Sequence, residues 1–273
     1  MVRVGVVWDR TVAFIGDRIG MLLLIAAVTL VLPNALAGAL EPVRQAAPPA
    51  MRALLALAML ATALVTVLGQ LIVTALALGP GETGEGAWRQ GVRRLPAMLG
   101  VSVALLLALA LLSAPLSFVA YQAGLTRMDA AGMQAMATGA WFGRIAIGTV
   151  VIGVLLLWLL ARLSILTPVV VAERRGLRAI PRAFGLTRGL GLKMAAVVLL
   201  YLLVLSITTY VAQTVVGSVL YLIAGGAGPM TAASVLTALA VSIVTAGNIV
   251  LASVFTAQLY RALRAVHEGA PAA

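Results

Sequence analysis

Glu173-Arg174-Arg175-Gly176-Leu177-Arg178-Ala179-Ile180-Pro181-Arg182-Ala183-Phe184-Gly185-Leu186-Thr187-Arg188-Gly189-Leu190-Gly191-Leu192-Lys193 is the one long polar interval in the second half of the chain. Its bases, Arg174, Arg175, Arg178, Arg182, Arg188 and Lys193, stand between two apolar runs, Ile145 to Val171 and Met194 to Ala224. Each run is long enough to cross a bilayer, for which about 20 residues suffice. The first is interrupted by Arg162, and the second carries no charge. A basic connector between two such runs sets the side of the membrane on which the rest of the chain lies, because short Lys- and Arg-rich loops stay cytoplasmic.

Working outward, the same alternation covers the whole chain. Of 273 residues, 63% are hydrophobic and 10% charged, against about 45–50% and about 25% in soluble domains. The reading is an all-α integral membrane protein of six transmembrane helices with short cytoplasmic interfacial helices. Residues 1–18 form an interfacial segment, with Arg3, Arg10 and Arg18 interleaved with Trp8, Phe14 and Ile15, as in a helix lying in the plane of the surface. Residues 19–265 form the membrane domain, with spans at about 19–40, 51–78, 97–122, 141–171, 194–224 and 230–259, and 266–273 are a tail. Ala35-Leu36-Ala37 has the small-residue spacing of a signal-peptidase site. The apolar run continues past it to Leu40, however, and the lead-in carries Asp9 and Asp17, so a retained first span, kinked at Pro33, is expected.

Orientation follows from the bases. With the N-terminus inside, fourteen of the nineteen bases are cytoplasmic; Arg44, Arg52, Arg127 and Arg144 are outside, and Arg162 lies within the membrane. The expected location is a bacterial inner membrane, with both termini cytoplasmic. Trp8, Trp88 and Tyr260 on one side, and Tyr121, Trp141 and Tyr221 on the other, fall where aromatic belts belong. Each odd-numbered span also follows a short basic amphipathic segment, at Ala13-Phe14 with Arg18, Ala87-Trp88 with Arg93, and Ala183-Phe184 with Arg188. Three helical-hairpin repeats would describe this pattern.

Several chemistries have no residues to carry them. The chain has no cysteine and one histidine, His267, in the tail. Its eight acids, Asp9, Asp17, Glu41, Glu82, Glu85, Asp129, Glu173 and Glu268, fall in connectors or tails rather than spans. General acid–base catalysis and metal hydrolysis need convergent carboxylates, histidine or a metal, and proton-coupled transport usually places an acid in mid-membrane. Neither an enzyme nor a cofactor or metal is expected. The net charge of +11 would suggest nucleic acid in a soluble chain. Here the arginines gather at the ends of apolar runs, so anionic head groups of membrane lipids are the expected partners, with a membrane or peripheral protein as a further partner and no nucleic acid.

Arg162 is the positive signal. A charge this deep costs about 2.5–3.5 kcal/mol on insertion scales. It would either snorkel or bond carbonyls freed by Pro168, or face a cavity and bind an anionic head group. Gln70, Gln213, Asn248 and Gln258 are candidate polar partners, each also suited to interhelical hydrogen bonding. In the quoted stretch Leu177, Ile180 and Phe184 would share one helical face, while Arg174, Arg178 and Arg182 share another. An in-plane amphipathic helix is one reading; a phosphate site using Arg182, Arg188 and Lys193 is the other. The full candidate head-group set is Arg162, Arg178, Arg182, Thr187, Arg188 and Lys193.

Arg162 with Pro168, followed by the basic connector and by Phe184-Gly185-Leu186-Thr187-Arg188-Gly189 before an apolar span, resembles the membrane domain of glycerophosphoryl diester phosphodiesterases. Phe184 stands where that family more usually has tryptophan. The likeness runs over nearly the whole chain, including Trp8 to Pro33, and its motifs concentrate between Arg162 and Lys193. The family is a six-helix membrane module, sometimes fused to a soluble catalytic barrel. Such a barrel takes roughly 250 residues, and no part of this sequence provides them. The resemblance therefore implies the membrane module without the enzyme: a non-catalytic scaffold or partner module with a basic, lipid-binding cytoplasmic face. A transporter or channel for an amphiphilic anion, such as a phospholipid or glycerophosphodiester, is the alternative.

Overall fold

The structure, a computed structural model, describes residues 4–79, 81, 83–122, 142–173, 176–187, 191–224 and 231–267. Among these, every regular element is helical, and six helical stretches are long and apolar enough to cross a membrane. An N-terminal helix (Val4–Asp17) precedes span one, Ile19–Ala46, and span two is Pro49–Leu78. Span three is a single helix, Gly84–Gln122. Span four is Phe142–Leu163 continued, after a break, by Leu166–Glu173. A connector helix, Ala179–Leu186, leads to span five, which begins at Gly191 and runs to Ala224, and span six is Ala232–His267.

Several boundaries differ from the sequence expectation, for local reasons. Span one extends to Ala46, because Pro42 is accommodated within the helix. Span three begins at Gly84 rather than about residue 97. Pro96 lies inside a continuous helix, so Ala87-Trp88 is the first turns of that span and not a separate surface helix. Of the three expected introductory helices, those before spans one and five are present as separate elements. The break in span four falls at Ser164-Ile165, one turn before Pro168, whose missing N–H cannot bond the carbonyl four residues back. Span one widens into a π-helical turn at Ala27–Val31, immediately before Pro33. Thr29 Oγ1 donates to Ile25 O at 2.7 Å, and Asn34 Nδ2 donates to Leu30 O at 2.7 Å. A second π turn, Ala212–Val216, interrupts span five.

Span six is the hub. It packs against spans one, two and five, the second half of span four, the N-terminal helix and the connector helix. Lipid tails are as apolar as leucine, so little hydrophobic drive holds helices together in a bilayer; small residues and interhelical hydrogen bonds do that work. Gly69 lets span two close on Thr29 and Leu30, and Gly91 lets span three close on Ile72. Gly38 meets Ala238 and Gly217 meets Thr237, on two sides of span six. Asn34 Nδ2 also donates to Thr66 Oγ1 at 3.3 Å, linking spans one and two. Asn248 Nδ2 donates to Thr208 Oγ1 at 3.2 Å and Tyr201 donates to Asn248 O at 3.3 Å, linking spans five and six.

The core is not centred. Most of it is Val7, Leu22 and Leu30, Leu71 to Ala77, Ala87, Val101, Ile165 to Val171 with few gaps, Ala179, Ala183 and Leu186, and Val250 to Leu263 at helical spacing. These lie toward the end of the bundle that bears the basic connector, called here the basic end, whereas Ala47, Ile145, Ala212 and Ala233 are buried outside it. Toward the far end, spans two, three and five expose most of their side chains.

Candidate anion site at the basic end

The connector helix is set by its ends. The amides of Ala179 and Ile180 close turns onto Gly176 O and Leu177 O, and Pro181 falls in the first turn, where its lack of an N–H costs nothing. At the other end Thr187, fully buried, bonds back through its amide to Ala183 O at 3.1 Å. Its hydroxyl donates to Ala183 O at 2.9 Å and to Phe184 O at 3.3 Å. The face that enters the core is Ala179, Ala183 and Leu186, against Tyr260 and Leu263 of span six. This corrects the expected apolar face of Leu177, Ile180 and Phe184. Leu177 precedes the helix and is exposed, and the two alanines permit a closer approach than larger side chains would.

Phe184 turns instead toward Trp158 of span four, with ring centroids 5.8 Å apart. Arg162 lies beside this pair. Its guanidinium carbon stands 5.5 Å from the Trp158 ring centroid, and Nη1 donates to Phe184 O at 3.4 Å. Phe184 belongs to the last turn of the connector helix, where carbonyls lack intrahelical partners and the dipole favours a cation. Arg162 thus caps that helix end. Its carbonyl partner is Phe184 rather than one freed by Pro168, because the connector folds back along span four. Arg162 Nε is buried and has no hydrogen-bond partner among the described residues, and the guanidinium also borders Gly191, the first residue of span five.

Arg182 takes a different role from the one its spacing suggested. Its Nε donates to Glu173 Oε1 at 3.0 Å, and Tyr260 OH donates to the same oxygen at 3.2 Å. The Glu173 side chain is 13% exposed, that of Arg182 37%. One carboxylate therefore joins the end of span four, the connector helix and span six. Nearby, Gln90 Nε2 reaches Val171 O at 3.4 Å and brings in span three.

The six candidate head-group residues divide accordingly. Arg162 and Thr187 meet at the Phe184 carbonyl, and Arg182 is paired with Glu173. Arg178 and Lys193 are exposed, and Arg188 lies outside the described residues. Of the proposed polar partners, Asn248 bonds across to span five, whereas Gln213 is exposed. Sequence reasoning missed Glu173. The available signal was a single acid at the end of an apolar run, followed at once by bases, which suits a buried counter-ion. No group of three or more His, Asp or Glu residues that could hold a metal occurs among the described residues. What the arrangement can do is present Arg178 and Lys193 outward beside the buried Glu173 junction. Comparison with family models, with curated proteins and with solved structures found no match to this chain.

Proposed function

We propose that this multi-pass membrane protein is a non-catalytic scaffold or partner module, akin to the membrane domain of glycerophosphoryl diester phosphodiesterases. In this reading it sits in a bacterial inner membrane with both termini cytoplasmic, and its basic end engages anionic lipid. The N-terminal and connector helices lie in the interface on that side. The observation that carries the reading is the division of cations at the basic end. Arg162 and Arg182 are used internally, while Arg178 and Lys193 remain exposed beside a packed core. Exposed bases at an anionic leaflet contribute about 1 kcal/mol each.

Native mass spectrometry of the purified protein with added phosphatidylglycerol tests this. The Arg178→Ala/Lys193→Ala double variant should bind about 30-fold more weakly at low salt, two such contributions together. Phosphatidylcholine binding should be unchanged. Equal retention of phosphatidylglycerol by the double variant and the parent refutes the reading. One observation favours the transport alternative, the unpartnered Nε of Arg162. If Arg162→Ala abolishes phosphatidylglycerol binding while the protein melts normally, Arg162 belongs to an anion pathway and the transport reading prevails. A lowered melting temperature with binding intact assigns it to the helix cap.

A further inference from the structure

Span five makes a π turn at Ala212–Val216, and this turn decides which side chains it shows to the bilayer. Ala212 and Gly217 are both buried, on the side that packs against span six. Five residues apart, they would point about 140° away from each other on an α-helix. The wider π turn, bonded over five residues, stacks them on one face. The residues between them, Gln213, Thr214, Val215 and Val216, are all left exposed.

Gln213 stands inside the hydrocarbon. Gly217 meets Thr237 and Gly38 meets Ala238, so these positions on spans five, six and one share a level. Glu41 of span one is three residues farther out than that level, whereas Gln213 is four residues farther in. Gln213 is therefore about 10 Å inward of Glu41 and, along its own helix, about 30 Å outward of Lys193. Tyr210 lies about one turn deeper and is 69% exposed. Neither the Gln213 carboxamide nor the Tyr210 hydroxyl has a hydrogen-bond partner among the described residues. Other polar side chains of the spans are satisfied: Asn34 and Asn248 bond across to neighbouring spans, and the hydroxyls of Ser206, Thr214 and Ser218 bond back to their own helix. An aliphatic side chain facing lipid needs no explanation, but a bare carboxamide does, because lipid tails offer it nothing to bond.

We infer that this face of span five is covered by span five of a second copy of the chain, in a dimer whose twofold axis stands along the membrane normal. Copies inserted the same way round can be related by a twofold only about that normal, and residues near the axis then face their own counterparts. Gln213 of one copy meets Gln213 of the other at the same depth. A carboxamide both donates and accepts, so the two form reciprocal hydrogen bonds, as a buried Asn pair does in a two-stranded coiled coil. An unrelated helix would have to carry a polar group at that one level; a second copy supplies it by symmetry. The rest of the face suits a helix. Leu199, Leu203, Ser206, Tyr210 and Gln213 are all exposed and recur at alternating steps of four and three, the spacing of a seam between helices that cross at a shallow angle. The inference goes beyond the scaffold reading and does not rest on lipid binding at the basic end.

The chain lacks cysteine, so single substitutions report the contact directly. In native membranes treated with a membrane-permeant oxidant, Leu203→Cys and Ser206→Cys should form disulfide-linked dimers. Leu60→Cys and Leu111→Cys, also exposed but on spans two and three, should not. Energy transfer between labelled copies, followed as the protein is diluted in lipid bilayers, should show the dimer weakened about tenfold by Gln213→Leu, the loss of one or two interhelical hydrogen bonds. Gln213→Asn, which keeps the carboxamide, should recover most of that loss. As a monomer in detergent, Gln213→Leu should melt like the parent, since Gln213 bonds nothing in its own chain. A dimer unchanged by Gln213→Leu, or cross-linking as strong from Leu60→Cys as from Leu203→Cys, overturns the inference. So does cross-linking of Leu203→Cys to a different protein, which would assign the face to a helix of that partner.

Discussion

Replacing Gly69 by alanine sets two opposing effects against each other, and the structure decides between them. Within a helix the change favours alanine by up to about 1 kcal/mol. At this position a methyl group would overlap Thr29 Oγ1 and stand 2.8 Å from Thr29 Cβ and 2.9 Å from Leu30 Cδ2. The leucine terminus can swing aside. Thr29 cannot, because a β-branched side chain has few rotamers in a helix and its hydroxyl is bonded to Ile25 O. Overpacking of this kind costs about 1–3 kcal/mol. The steric cost outweighs the gain in helix propensity, so Gly69→Ala should destabilise the protein by about 1–2 kcal/mol net. The four tryptophans permit a fluorescence melt in detergent, where the midpoint should fall by a few degrees. Thr29→Ala removes the worst contact, so the Gly69→Ala/Thr29→Ala double variant should recover part of the loss. A Gly69→Ala protein as stable as the parent, or a double variant no better than the single, would refute the claim that spans one and two touch here without room to spare.

The remaining expectations concern the Glu173 junction and the topology. Tyr260→Phe removes one hydrogen bond to a charged group and should cost about 1.5–3 kcal/mol at most. Glu173→Ala should cost more, since it releases Tyr260 and Arg182 together, and parallel melts would rank the two; the reverse order would mean that the carboxylate does not hold the junction. For topology, Gln45→Cys at the far end and Lys193→Cys at the basic end, both exposed positions, should differ in intact cells. An impermeant maleimide added outside should label the first at once and the second only after permeabilisation, and the opposite pattern would invert the orientation drawn from the arginine count.

The membrane character and the six spans were legible because six apolar runs, each long enough to span hydrocarbon, carry more apolar surface than a soluble core of this size could hide. The ends of the spans were harder to read. Gly84 to Pro96 looks like a connector by composition, yet it is helical, since neighbouring helices can support a proline within a membrane helix. Arg162 stood out as a charge in an apolar run, but its partner did not, because Phe184 comes alongside only when the connector folds back. Glu173 was hidden for the same reason: Tyr260 is 87 residues away and no local spacing announces it. The off-centre core was also illegible. Ala and Leu alternate much the same way in the buried and the open halves of spans two and six, and only the crossing of the helices separates them.

Span six, on which most of its fellow helices converge, is made after the five before it. During synthesis spans one to three, and spans four and five, can already pair, but the faces they turn to span six stay against lipid until it arrives. Joining of the two groups should accordingly come late, and chains stalled before residue 246 should be substrates for membrane proteases even though every earlier helix has already been inserted.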